Sequence, residues 1–164
     1  MDEFVEEHLP AMLRFATRLC GDPAAAEDIV QEALVRVVRS WKSFRRESEV
    51  RTWLFRIVLN VYRSHRPRRP AAIGLSPELH DPHAADPAGA ALDNELAGLI
   101  AARIAALPPR QREVIVLVAC EGCTPREAAE ALQITEANVY ATLHVARRRL
   151  REELQPYLTE TTNE

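Results

Sequence analysis

At 164 residues, 47% of them hydrophobic and 27% charged, the chain has apolar material for one ordinary core or two small ones. No run approaches the roughly 18 uninterrupted apolar residues of a membrane helix, and the opening MDEFVEEHLP is acidic where a secretory signal is basic. A cytoplasmic protein without membrane insertion is therefore expected, although a net charge of -3 gives no hint of a partner.

Apolar positions recur at helical spacing nearly throughout and no run alternates with period two, so the fold class is all-α. A first helix covers about 3 to 20 and stops at Gly21. Asp22 followed by Pro23 is a cap with proline at the first helical position, opening a second helix to about Trp41. After a short basic loop, Ser48 caps a third helix whose Val50, Trp53, Leu54, Ile57, Val58 and Val61 form a buried stripe. Its opposite side carries Thr52, Arg56, Asn60 and Arg63. A three-helix domain, 1–65, is expected to end there.

From 66 to 91 the composition changes, with prolines at 67, 70, 77, 82 and 87 and little apolar periodicity. Such a stretch cannot bury enough surface to offset its ordering entropy, so a flexible linker is expected. A second domain, 92–158, opens with a helix from about Asp93 to Ala106, with Leu96, Leu99, Ile100 and Ile104 on its buried side. A break at Pro108-Pro109 precedes a helix to about Glu121, capped by Gly122. Thr124-Pro125-Arg126-Glu127 reads as a capping box with proline at the first helical position. A short helix to about Leu132, a turn over Gln133 to Thr135, and a helix placing Val139, Leu143, Ala146 and Leu150 inward complete a helix-turn-helix pattern. An ordinary helical hairpin has the same spacing.

Charge is unevenly distributed. Residues 35–69 carry eleven bases against Glu47 and Glu49, a net of +9, whereas 1–34 carry a net of -6 and 70–100 five acids with no base. Arginines with Phe44, Trp53, Phe55 and Tyr62 interleaved suit a site that tracks phosphates and stacks bases, and a solvated basic helix has the same count. Trp53 falls on the apolar stripe and is read as core. The three cysteines, Cys20, Cys120 and Cys123, are too few for a disulfide framework. Cys120 and Cys123 form a lone C-x-x-C without a second ligand pair, so no metal and no cofactor is expected. The histidines are scattered and no phosphate-binding glycine loop occurs, which argues against an enzyme.

Three stretches resemble the extracytoplasmic-function (ECF) sigma factors of bacterial RNA polymerase. They are Glu27-Asp28-Ile29-Val30-Gln31-Glu32 with Val37-Val38 and Trp41; Ser43 to Ser48 running into Arg51-Thr52-Trp53-Leu54-Phe55-Arg56-Ile57 and Asn60; and Leu107 to Val114 continuing from Thr124 to Leu150. The resemblance implies two helical domains, sigma-2-like and sigma-4-like, with core RNA polymerase and promoter DNA as partners and an anti-sigma factor as a further one. It implies polymerase binding by Asp28, Gln31, Glu32, Arg36 and Arg39. Melting and recognition of the -10 element would fall to Arg45, Arg46, Ser48, Arg51, Arg56, Asn60 and Arg63. Reading of the -35 element would fall to Thr124, Arg126, Asn138, Tyr140, Thr142, His144, Arg147 and Arg148. Opening DNA without a nucleotide-binding loop requires capture of unpaired bases.

The chain departs from the family pattern where Ala137 to Val145 replaces a cationic recognition helix, where Gln133 replaces a turn glycine, and at Ser64 in place of aspartate. Several phosphate and base contacts are lost with the missing cations. A second reading keeps the fold and changes the output: a sigma-like regulator whose C-terminal domain binds a protein instead of the upstream element.

Overall fold

The computed structural model describes residues 2–41, 49–65 and 87–160. Among them every regular element is helical, in the order α1 (Asp2–Cys20), α2 (Pro23–Ser40), α3 (Val50–His65), α4 (Pro87–Ala106), α5 (Pro109–Ile115), a π turn (Val116–Cys120), α6 (Pro125–Leu132) and α7 (Glu136–Glu160). The first three helices form one cluster and α4 to α7 a second. None of the described helices is long and apolar enough to cross a membrane.

The stops and starts have local causes. Gly21 takes a left-handed φ of 72° that ends α1, and the Asp22 carboxylate accepts a hydrogen bond from the Ala24 amide at 3.1 Å, opening α2 with Pro23 in the first turn. Phe15, Ala16 and Leu19 of α1, Ile29, Val30, Ala33 and Val37 of α2, and Trp53, Leu54, Val58 and Val61 of α3 are buried together. Each set repeats at three- and four-residue spacing, which keeps it on one face.

Helix α3 departs from the expected pattern. Thr52, assigned by spacing to the polar side, is buried, as are Phe55, Leu59 and Tyr62. The cause is that α3 packs against α1, α2 and α6 at once, so it has two buried faces instead of one. Phe55 and Tyr62 are therefore core residues, Phe55 stacking on Phe15 with centroids 4.3 Å apart, and neither is a surface platform for bases.

In the second cluster α4 begins at Pro87, six residues before the expected Asp93, so the end of the presumed linker is helical. Proline in the first turn and the alanine-rich run that follows favour this. Leu96, expected to be buried, is exposed. The helix expected to run to Glu121 is interrupted by the π turn, where the Glu121 amide donates to the Val116 carbonyl at 2.9 Å. Gly122 follows with φ 67°. The predicted Ser48 cap lies outside the described residues.

Candidate functional site

The helix-turn-helix is built by cap chemistry. The Thr124 hydroxyl accepts from the Glu127 amide at 3.2 Å while the Thr124 amide donates to the Glu127 carboxylate at 2.7 Å, the reciprocal pair of a capping box. At the other end of α6, Gln133 adopts φ 56°, ψ 47°. Its amide donates to Glu130 at 3.3 Å and that of Ile134 to Ala129 at 3.0 Å, a Schellman closure reached without glycine. Thr135 then caps α7, accepting from the Asn138 amide at 3.2 Å. Val139, Leu143 and Ala146 are buried beneath.

This leaves Asn138, Tyr140, His144, Arg147 and Arg148 of α7 exposed, with Thr142 half-buried. Tyr140, Leu143, His144, Arg147, Arg148 and Arg151 line an open groove of about 380 Å³. Arg151 was missed by sequence reasoning, although it lies four residues after Arg147 on the same helical face. Arg126 is exposed on α6, whereas the Thr124 side chain is committed to its cap, also donating to the Glu127 carboxylate at 2.9 Å. From Glu136 to Ala146 the outward face carries no lysine or arginine.

The basic set on α3 divides. Arg45, Arg46 and Ser48 lie outside the described residues. Asn60 is exposed and Arg56 half-buried. Arg51 lies over the Phe55 ring, 5.2 Å from its centroid, and reaches Glu121 Oε2 at 3.8 Å. Arg63 is held bidentately by Glu113, Nε to Oε1 at 3.0 Å and Nη2 to Oε2 at 2.8 Å. These hydrogen bonds raise the Arg63 pKa above its usual value. Two of the four described residues are thus engaged by carboxylates of the second cluster.

On α2, Asp28, Gln31 and Arg39 are exposed, while Glu32 and Arg36 are half-buried and paired with each other. Glu32 also bonds His65 of α3, and that hydrogen bond, followed by the one from Arg36, holds its carboxyl below the usual range. Beside them Val35 and Val38 stand 48% and 54% exposed. Asp28, Gln31, Val35 and Val38 follow one another at steps of three, four and three, a single stripe on the outer face of α2. No group of three or more metal-ligating side chains occurs among the described residues.

The Sigma-70 region 2 model matches residues 4–69, the Sigma-70 region 4 model matches 97–150, and the chain is 35% identical over 162 residues to the ECF RNA polymerase sigma factor SigL of Mycobacterium tuberculosis, covering 94% of this chain and 89% of that protein. The chain belongs to the ECF RNA polymerase sigma factors. This sigma factor is also 31% identical to the ECF RNA polymerase sigma factor SigE of Mycolicibacterium smegmatis, covering 98% of its own length and 63% of that relative's. Its fold matches CnrH in the structure of its complex with the cytosolic domain of CnrY, with a TM-score of 0.69 and 27% identity over 94% of this sigma factor and 87% of CnrH. Its region 2 and region 4 matches coincide with the two helical clusters, and its α6 and α7 are the helix-turn-helix of the second.

Proposed function

We propose that this sigma factor is a cytoplasmic transcription-initiation subunit that binds core RNA polymerase, directs it to promoters and promotes DNA opening, and that its C-terminal cluster binds a protein partner of the anti-sigma kind in preference to the upstream promoter element. The observation that carries the first part is the α2 stripe. Two exposed valines flanked by Asp28 and Gln31 at heptad-like spacing suit a helical partner, apolar groups supplying affinity and polar ones register. Asn60 and Arg56, with Arg45, Arg46 and Ser48 earlier in the sequence, supply the chemistry needed to hold a separated strand.

The second part is favoured by the α7 surface. The outward face from Glu136 to Ala146 presents Tyr140 and His144 with no lysine or arginine, so the cationic contacts that duplex binding uses are confined to Arg147, Arg148 and Arg151 at the other end of the groove. CnrH, which this chain resembles, was solved bound to the cytosolic domain of CnrY. Run-off transcription with purified core polymerase tests both parts. Specific initiation that persists when the upstream element is scrambled supports the proposal; no initiation removes the first part, and initiation abolished by scrambling removes the second. Val35→Ser with Val38→Ser is expected to weaken co-purification with polymerase at unchanged helicity.

A further inference from the structure

Aromatic rings from three helices meet at one end of the first cluster. Phe4, near the start of α1, packs on Trp41 at the end of α2, with centroids 4.4 Å apart and planes at 60°. Trp41 in turn approaches Trp53 of α3, 6.2 Å away and also at 60°. His8, one turn along α1, meets the Phe4 ring at 4.5 Å and 80°. Tilted and edge-on pairs at such separations attract through their ring quadrupoles, beyond the apolar area they bury.

The two tryptophans, the only ones in the chain, sit on either side of residues 42–48. Trp41 follows the last residue of α2 and keeps a helical conformation, φ -52° and ψ -43°. The Ser40 hydroxyl before it donates to the Arg36 carbonyl at 2.6 Å. On the other side, the Trp53 amide donates to the Glu49 carbonyl at 3.1 Å, which opens α3. Helix ends fray unless something holds them. Here the end of α2 and the first turn of α3 are held against each other ring to ring, and Phe4 of α1 bears on the first of the two. Phe4 and Trp41 are only partly buried, whereas Trp53 is 6% exposed, so the outer two rings add orientation more than they add core.

We propose that Phe4 and Trp41 are positioning residues for strand capture. Their contact with Trp53 fixes where the chain leaves α2 and where it enters α3, and so restrains the intervening segment that carries Lys42, Arg45, Arg46 and Ser48. A segment whose ends are already fixed loses less freedom when it grips a ligand, which raises affinity without a new contact. That the ligand is a separated DNA strand rests on the polymerase-subunit reading above, while the restraint does not.

The test compares Phe4→Ala, Phe4→Tyr and Trp41→Leu in the full chain with Leu13→Ala, which truncates another partly buried position of α1. Circular dichroism checks the fold of each variant. Limited trypsin digestion, with cleavage after Lys42, Arg45 and Arg46 followed by mass spectrometry, reads the restraint. Fluorescence anisotropy of a labelled mixed-sequence single-stranded oligonucleotide with the protein bound to core polymerase reads capture. Phe4→Ala and Trp41→Leu are expected to speed cleavage and to weaken strand binding by roughly two- to tenfold each, the factor that loss of one aromatic pair puts on an equilibrium. Phe4→Tyr, which keeps the ring, should restore both, and Leu13→Ala should change neither. Should Phe4→Ala fail to fold, Trp41→Leu and Phe4→Tyr decide. Unchanged cleavage overturns the restraint, and faster cleavage with unchanged strand affinity overturns its part in capture. Equal effects from Leu13→Ala reduce Phe4 to ordinary packing and overturn the proposal as well. Wild-type run-off transcription, measured in parallel, separates these failures from a failure of the sigma reading itself.

Discussion

Replacing Phe55 with alanine separates a core role from a base-stacking role for the aromatic residues of α3. The ring is 1% exposed and stacks on Phe15 at 4.3 Å and 32°. Truncating a buried phenylalanine costs about 3–5 kcal/mol, of which the ring pair supplies about 0.5–1.5. The loss also removes the surface over which Arg51 lies, worth about 0.5–1 kcal/mol at a partly exposed site. Against a typical domain stability of about 5–15 kcal/mol this is a large fraction, so the urea midpoint followed by helical circular dichroism should fall steeply. Phe55→Leu, which keeps most of the apolar volume, should fall less. Single-strand binding by Phe55→Leu, measured well below its midpoint, should stay close to wild type. A Phe55→Ala variant destabilised by less than about 1 kcal/mol but unable to bind a strand would refute burial and make the ring a surface platform.

Thr124→Ala should cost about 1 kcal/mol by urea unfolding, the usual value of an N-cap, because it removes the acceptor of the Glu127 amide. Gln133→Gly should raise stability by about 0.5 kcal/mol in the same assay, since relief of a left-handed conformation slightly exceeds the added freedom of the unfolded chain. Burial pushes the Cys20 thiol up to about 12 and the Cys123 thiol up to about 11, so native protein should react with iodoacetamide far more slowly than unfolded protein. A raised pKa means the folded state holds the proton more tightly. The stabilising contribution is therefore complete below the ordinary thiol value of 9.0 and is lost as pH rises from there toward the folded values, which urea midpoints taken between neutral pH and pH ~10 will show. Elemental analysis should find no stoichiometric zinc, since a lone C-x-x-C supplies half a ligand set.

The parts of the fold legible in the sequence are those decided within a few residues. Asp22-Pro23, Thr124-Pro125 with Glu127, and the small or left-handed residues at 21, 122 and 133 determine ends through local hydrogen bonds. The α7 face follows from the same periodicity. The second buried face of α3 was not legible, because Thr52, Phe55 and Tyr62 are covered by elements far along the chain. For the same reason Arg63 reads as a surface cation, although its guanidinium is held by Glu113, fifty residues away. The start of α4 was obscured by the prolines before it, which signal a linker and, at Pro87, a first helical turn alike. Val35 and Val38 resemble core positions in a hydrophobic run, and only the packing of Ala33 and Val37 inward leaves them outside.

The π turn between Val116 and Cys120 gives this region a phase of its own. A ring closed over five residues accommodates one residue more than an α-helical turn does, and one residue corresponds to about 100° of rotation. Everything beyond Cys120 is therefore advanced by that angle relative to an uninterrupted helix. Shortening the segment by one residue would restore a regular helix and leave the Thr124 cap chemistry untouched, yet it would turn the buried Glu121 carboxylate away from Arg18 of α1, with which it forms an ion pair. A single-residue change in length would thus alter how the two clusters meet without altering either one's internal design.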